Sequence, residues 1–235
     1  MDVYTKTLNQ TGFALNAVLD PVAQQFVEFT QGASLPVLEL GCAYGMSSLA
    51  CLGNRVTLIL NDLDERHLRS AMERCPVHQR NHLVLLPGDL ETLPILERSL
   101  AAILCCRVIH FFDPDKVLRS LARVRHWLAP GGKAFFTVES PYLGIWPKFY
   151  EDFQRRRHQG LLFPGHMRVR DYVCDNDIAA NLPEWMNLFD VETLSEVFRV
   201  SGFQVESCQF IPRPYFFEQL RLDGRESVGI IAVKH

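Results

Sequence analysis

Much of what bounds this chain is absent from it. No apolar run in its 235 residues approaches the roughly 18 that a membrane-crossing helix needs, so a membrane protein is not expected. The opening residues, Met1-Asp2-Val3-Tyr4-Thr5-Lys6, lack a basic stretch followed by an apolar core, so no secretory leader is expected either. Among seven cysteines (Cys42, Cys51, Cys75, Cys105, Cys106, Cys174 and Cys208) there is no Cys-x-x-Cys pair, and the number is odd. Several lie in apolar stretches, where a thiol packs as a small hydrophobe. A reduced, soluble, cytoplasmic protein is the expectation. Excess charge of one sign is also missing: 24 basic against 27 acidic residues leave a net charge of −3, which gives no general attraction to phosphate backbones. Nucleic acid is therefore not an expected partner. Repeats and low-complexity tracts are absent, and 48% hydrophobic content supports a substantial core in one domain over residues 1–235.

What is present begins with Val37-Leu38-Glu39-Leu40-Gly41-Cys42-Ala43-Tyr44-Gly45, an apolar run ending in an acid and then in two glycines four apart. It reads as a buried strand entering a glycine turn, the place where open α/β sheets bind ligands. A second acid, Asp62, closes the next apolar run, Val56 to Asn61, where it can bond a ribose. A dinucleotide fingerprint needs glycines where Ala43 and Met46 stand, which counts against a nicotinamide enzyme.

Further along, Pro21 to Phe29 has helical spacing with Asp20 as cap, and short helices are expected from Ser47 to Leu52 and from Asp64 to Cys75. Strands follow at Leu83 to Leu86 and Ala101 to Cys106. A helix then carries Val117, Leu118, Leu121, Val124 and Leu128; Pro130-Gly131-Gly132 should stop it and lead into a strand from Lys133 to Glu139. After an irregular stretch, Asp190 caps a helix to Val200, and strands follow at Gln204 to Ile211 and Ser227 to Val233. The alternation predicts a Rossmann-like, doubly wound, mostly parallel seven-stranded α/β sheet.

The Glu-x-Gly-x-x-x-Gly turn with an acid ending the next strand resembles the class I S-adenosylmethionine-dependent methyltransferases, well over about residues 35–140 and more loosely beyond. The resemblance implies an antiparallel last strand and S-adenosylmethionine as cofactor. It places the methionine part over Gly41, Cys42, Ala43 and Gly45, with Glu39 orienting the amino group and Asp62, beside Leu63, accepting from both ribose hydroxyls. Asp89 and Leu90 stand where the family grips adenine; the plainer reading of Asp89 is a helix cap. Cys106 and Arg107, past the fourth strand, complete the expected cofactor contacts. The segment Cys105 to His110 is no Asn-Pro-Pro-Tyr-like box and offers no acid to hold magnesium, so metal-free transfer to an oxygen or nitrogen of a small molecule is expected.

Methyl transfer from a sulfonium requires mainly in-line alignment at about 3 Å. If the acceptor atom carries a proton, His110, with a near-neutral intrinsic pKa, is the first candidate base and Glu139 the second; each has a plain structural alternative in the core or in an ion pair. Residues 141–188 read as an inserted lid bearing the acceptor pocket, with Tyr142, Trp146, Phe149, Tyr150 and Phe153 as its aromatic surface and His166 reaching toward the centre. A small satellite core is the alternative. Arg155-Arg156-Arg157, with Arg168 and Arg170, either bind an anionic group of the acceptor or form a solvated helix surface. His78 and His82 lack a third ligand, and no metal site is expected. The alternatives in function are a cofactor-binding protein without turnover, a methyltransferase acting on protein or nucleic acid, and last a dinucleotide oxidoreductase.

Overall fold

The computed structural model describes residues 4–9, 13–15, 18–173, 182–216 and 218–235; Cys174 and part of the inserted segment lie outside them. Its centre is a seven-stranded sheet. In chain order the strands are β3 (Val37–Leu40), β4 (Leu58–Asp62), β5 (Leu83–Pro87), β6 (Leu100–Cys106), β7 (Leu128–Glu139), β10 (Gln204–Ile211) and β11 (Ser227–Val233). Across the sheet they stand β10-β11-β7-β6-β3-β4-β5. The pairs among β3 to β7 are parallel, while β11 runs antiparallel to both its neighbours, as the family resemblance implied. Strand order reverses between β3 and β6, which opens a crevice at their carboxyl ends.

Because successive strand residues face opposite ways, the apolar strands feed two cores. Leu38, Leu40, Ile103, Cys105 and Phe136 pack on one face against Val117, Leu121 and Trp127 of α4 (Pro114–Trp127) and Leu194 and Phe198 of α6 (Val191–Val200). Leu58, Leu60, Ala102, Leu104 and Phe135 pack on the other against Phe26 of α1 (Pro21–Thr30) and Leu68 and Ala71 of α3 (Glu65–Arg74). The adjacent Cys105 and Cys106 therefore point to opposite faces and are both free thiols.

Helix starts follow the caps read in the sequence. Asp20 accepts from the Val22 and Ala23 amides with Pro21 in the first turn, and Asp190 forms a capping box with Thr193. One expectation is corrected. Pro130-Gly131-Gly132 does not stop α4, which ends at Trp127; it forms an irregularity within β7, where the pairing with β6 jumps from Leu100–Leu128 to Ala102–Lys133.

Two smaller pieces flank the sheet's crevice. The N-terminal strands β1 (Tyr4–Lys6) and β2 (Phe13–Leu15) form an antiparallel ribbon. After β7, α5 (Pro147–His158) and the paired strands β8 (His166–Arg168) and β9 (Trp185–Asn187) enclose a third core of Trp146, Phe149, Phe153, Met167, Met186 and Leu188. Among the described residues no helix is long and apolar enough to cross a membrane.

Candidate active site

The glycine turn is held by packing. Gly41 takes φ +62°, and a Cβ there would lie 2.4 Å from Val108 Cγ2; Gly45 takes φ +72° at the start of α2 (Met46–Ala50), where a Cβ would lie 2.8 Å from Ala71 Cβ. The expectation that both glycines clear space for a ligand is thus corrected for Gly45, which α3 crowds and which does not line the crevice. Two non-glycine residues, Ala43 (φ 45°) and Arg107 (φ 57°), adopt left-handed backbone on the loops after β3 and β6. Strain of about 1–3 kcal/mol at each is retained beside the strand-order reversal, where function most often sits. Fixed contacts hold both: Ala43 N donates to Asp62 Oδ2 at 2.9 Å, and Arg107 N donates to Thr137 O at 2.8 Å while its guanidinium pairs with Asp20 at 3.1 Å.

The three acids of the motif line one cavity but differ in setting. Glu39 is buried, accepts from Ser48 N at 3.0 Å and from Ser48 Oγ, and loss of solvation raises its pKa from 4.5 to about 7. Asp62 Oδ1 accepts from Asp64 N (2.9 Å) and His67 Nδ1 (3.0 Å) and Oδ2 from Ala43 N (2.9 Å), so the acceptor capacity left for a ligand is on Oδ2. Asp89 accepts from Glu91 N at 2.9 Å, which is the capping role, and pairs with Lys116 Nζ at 2.6 Å.

His110 and Glu139 meet on the same cavity. The Glu139 amide donates to His110 Nδ1 across a long 3.4 Å, and burial lowers the His110 pKa from 6.5 to about 4. The near-neutral base expected there is corrected: the ring is buried, so its protonated form is disfavoured and its free nitrogen serves as an N–H donor. Glu139 Oε1 accepts from the Arg213 guanidinium, and its other oxygen is buried with no partner among the described residues.

These groups share a cavity of about 680 Å³. Glu39, Gly41, Cys42, Ala43, Asp62 and Leu63 line one half, with Asp89, Leu90, Cys106 and Arg107 alongside; His110 and Glu139 line the cavity too. Leu143, Ile145, Trp146, Met186, Phe216 and Leu220 wall the other half. Burial raises the thiols of Cys42 and Cys106 well above their ordinary pKa, so they line the cavity as apolar surface.

Of the aromatic residues expected to bind acceptor, only Trp146 lines the cavity. Phe149 and Phe153 are fully buried behind it in the third core, Tyr142 packs against Tyr150 and Phe210, and Tyr150 is exposed. His166 lies off the cavity, its ring stacked on Trp185 at 5.2 Å. The nearby arginines are engaged: Arg155 with Asp152, Arg157 with Asp190 at 2.8 Å, Arg168 with Glu184 at 2.6 Å, and Arg156 with the His166 carbonyl at 2.7 Å. Among the described residues no group of three or more His, Cys, Asp or Glu can hold a metal.

Residues 37–132 match the sequence model of the methyltransferase domain family. In these residues the chain is similar to a methyltransferase domain. Solved structures with the same fold include an S-adenosylmethionine-dependent methyltransferase of Mesorhizobium loti, 18% identical over 91% of this chain and 98% of that one with a TM-score of 0.63. Another is an S-adenosylmethionine-dependent methyltransferase of Methanosarcina mazei, 14% identical over 93% and 99% with a TM-score of 0.66. A third is the 1,6-didemethyltoxoflavin N1-methyltransferase of Burkholderia thailandensis, solved with 1,6-didemethyltoxoflavin and S-adenosylhomocysteine, 16% identical over 92% and 79% with a TM-score of 0.62. At these identities the likeness is one of fold. No curated protein matches the chain in sequence.

The cavity is also lined by residues that the sequence did not single out. Arg213 comes from the segment after β10, and its position in the apolar run Phe210 to Pro214 was a readable sign of a buried charge. Lys116, His67 and the ribbon residues Lys6, Thr7 and Phe13 line the cavity too, and nothing local in the sequence marks them.

Proposed function

We propose that this chain transfers a methyl group from S-adenosylmethionine to an oxygen or nitrogen of a small, largely apolar molecule, without a metal. The observation that carries this reading is the continuity of one cavity from the motif acids to the apolar wall of the inserted segment. In it the cofactor lies along Gly41 to Ala43, with its ribose on Asp62 and its adenine beside Asp89 and Leu90. Residues 141–188 then act as the acceptor-binding insertion through Leu143, Ile145 and Trp146, while Phe149 and Phe153 brace that wall from behind. S-adenosylmethionine supplies the activated methyl, and the protein's task is alignment and exclusion of water.

The polar groups at the junction fit an acceptor bearing an N–H or O–H. The unpartnered Glu139 oxygen accepts from that group as its nitrogen or oxygen turns toward the methyl, and the His110 N–H fixes a neighbouring acceptor atom. Arg213 pairs with the Glu139 carboxylate beside it. A protein or nucleic-acid substrate is disfavoured by Arg156, Arg157 and Arg168 of the insertion, which are tied to acids and carbonyls of their own chain.

The test is incubation of a cell extract with methyl-labelled S-adenosylmethionine and the purified protein, followed by fractionation by size. Label in the small-molecule fraction, reduced in His110→Ala while cofactor affinity stays unchanged, is the expected result. Label confined to protein or nucleic acid would contradict the reading.

A further inference from the structure

The N-terminal ribbon is tied to the domain by a short chain of hydrogen bonds that ends on the carboxylate assigned to the ribose. Leu8 N donates to His67 Nε2 at 2.9 Å, and His67 Nδ1 stands 3.0 Å from Asp62 Oδ1. The backbone N–H facing Nε2 requires that nitrogen to be the acceptor, so the ring is neutral and its single N–H points at Asp62. His67 is buried on both sides: Tyr44 packs edge-on to it with ring centroids 5.1 Å apart, and the Tyr44 hydroxyl donates to Lys6 O at 2.9 Å. Arg66, held by Asp64, donates to Leu8 O at 2.8 Å. Three ties from α3 and the glycine turn thus converge on residues 6–8, and Lys6 and Thr7 line the half of the cavity that holds Asp62.

We propose that His67 is a positioning residue that couples the ribbon to the cofactor, an inference that rests on the cofactor reading given above. With one nitrogen it fixes the Asp62 carboxylate in the orientation that meets the ribose hydroxyls; with the other it holds Leu8, and through it the ribbon, across the same half of the cavity. A cofactor on Asp62 then leaves only when the tie to Leu8 opens, and the ribbon is held only while the imidazole stays in the tautomer that Asp62 selects.

The two nitrogens can be tested separately. His67→Asn keeps an amide N–H near the Nδ1 position for Asp62 but no longer reaches Leu8; His67→Gln places an acceptor oxygen near the Nε2 position for Leu8 but loses the donor to Asp62. In the ligand-free full chain, hydrogen exchange at the Leu8 amide should accelerate about tenfold in His67→Asn and stay protected in His67→Gln, with amides of the central strands unchanged in both. Dissociation of S-adenosylhomocysteine should quicken about tenfold in His67→Asn, whereas His67→Gln should lose equilibrium affinity by a similar factor. Unchanged Leu8 exchange, or an unchanged dissociation rate in His67→Asn, would overturn the coupling alone. Failure of the unaltered protein to bind S-adenosylhomocysteine would overturn the cofactor reading.

Discussion

Glu39 and His110 are both buried at the cavity, and burial moves them in opposite directions, to about 7 and about 4. The folded state takes up the Glu39 proton near pH 7 and the unfolded chain near 4.5, so this group favours folding below 4.5 and that contribution is lost as pH rises through 7. His110 behaves in reverse: the unfolded chain protonates near 6.5 and the folded state only near 4, so its contribution is present above 6.5 and is lost as pH falls toward 4. Each separation corresponds to about 3 kcal/mol, and because the windows overlap the two largely cancel. Glu39→Gln should break that balance. Denaturant titrations of the variant should show stability falling by about 3 kcal/mol relative to the unaltered protein between pH 7 and 4.5; parallel profiles would show that Glu39 is not protonated by burial. Asp62→Ala should weaken S-adenosylhomocysteine binding by about 1–3 kcal/mol in calorimetric titration, since the proposed charged acceptor for the ribose is removed. Equal affinity would remove Asp62 from the ribose.

At the scale of elements, legibility followed locality. Strands β10 and β11 and the start of α6 were readable because their signals are self-contained: an apolar run, a capping acid, a glycine after the helix. Phe149 and Phe153 of α5 stood out in the sequence as aromatic surface, but which way they point was not readable, because sequence alone cannot tell a cavity wall from the core behind it. Strands β1, β2, β8 and β9 have three residues each, too few to show a period, and exist through their partners. The same holds for Pro130-Gly131-Gly132, whose role as a strand irregularity is set by the jump in pairing with β6. Gly165 gives an element-scale prediction. A Cβ there would lie 1.7 Å from the Leu188 carbonyl oxygen, so the insertion packs around the missing side chain. Gly165→Ala should lower stability by at least about 3 kcal/mol in thermal or denaturant unfolding, because backbone and not a flexible side chain must move. A loss within a few tenths would mean that this contact is not formed in solution.

For the whole molecule, the motif acids were legible because an acid ending an apolar strand stands out against its neighbours, and the sheet brings Glu39, Asp62 and Asp89 onto one cavity although they are far apart in sequence. The other half of that cavity is assembled from segments that meet only on folding: residues 143–146 and 182–186 of the insertion and residues 213–220 near the end of the chain. The contacts proposed for an acceptor are therefore a property of the assembled structure, with Arg213 on Glu139 as the clearest case. The central claim, that this cavity holds S-adenosylmethionine, is tested most directly by calorimetric titration of the purified protein with S-adenosylmethionine and S-adenosylhomocysteine, with NADH as control. Micromolar binding of the first two and none of NADH is the predicted result; no binding of either, or tighter binding of NADH, would contradict it.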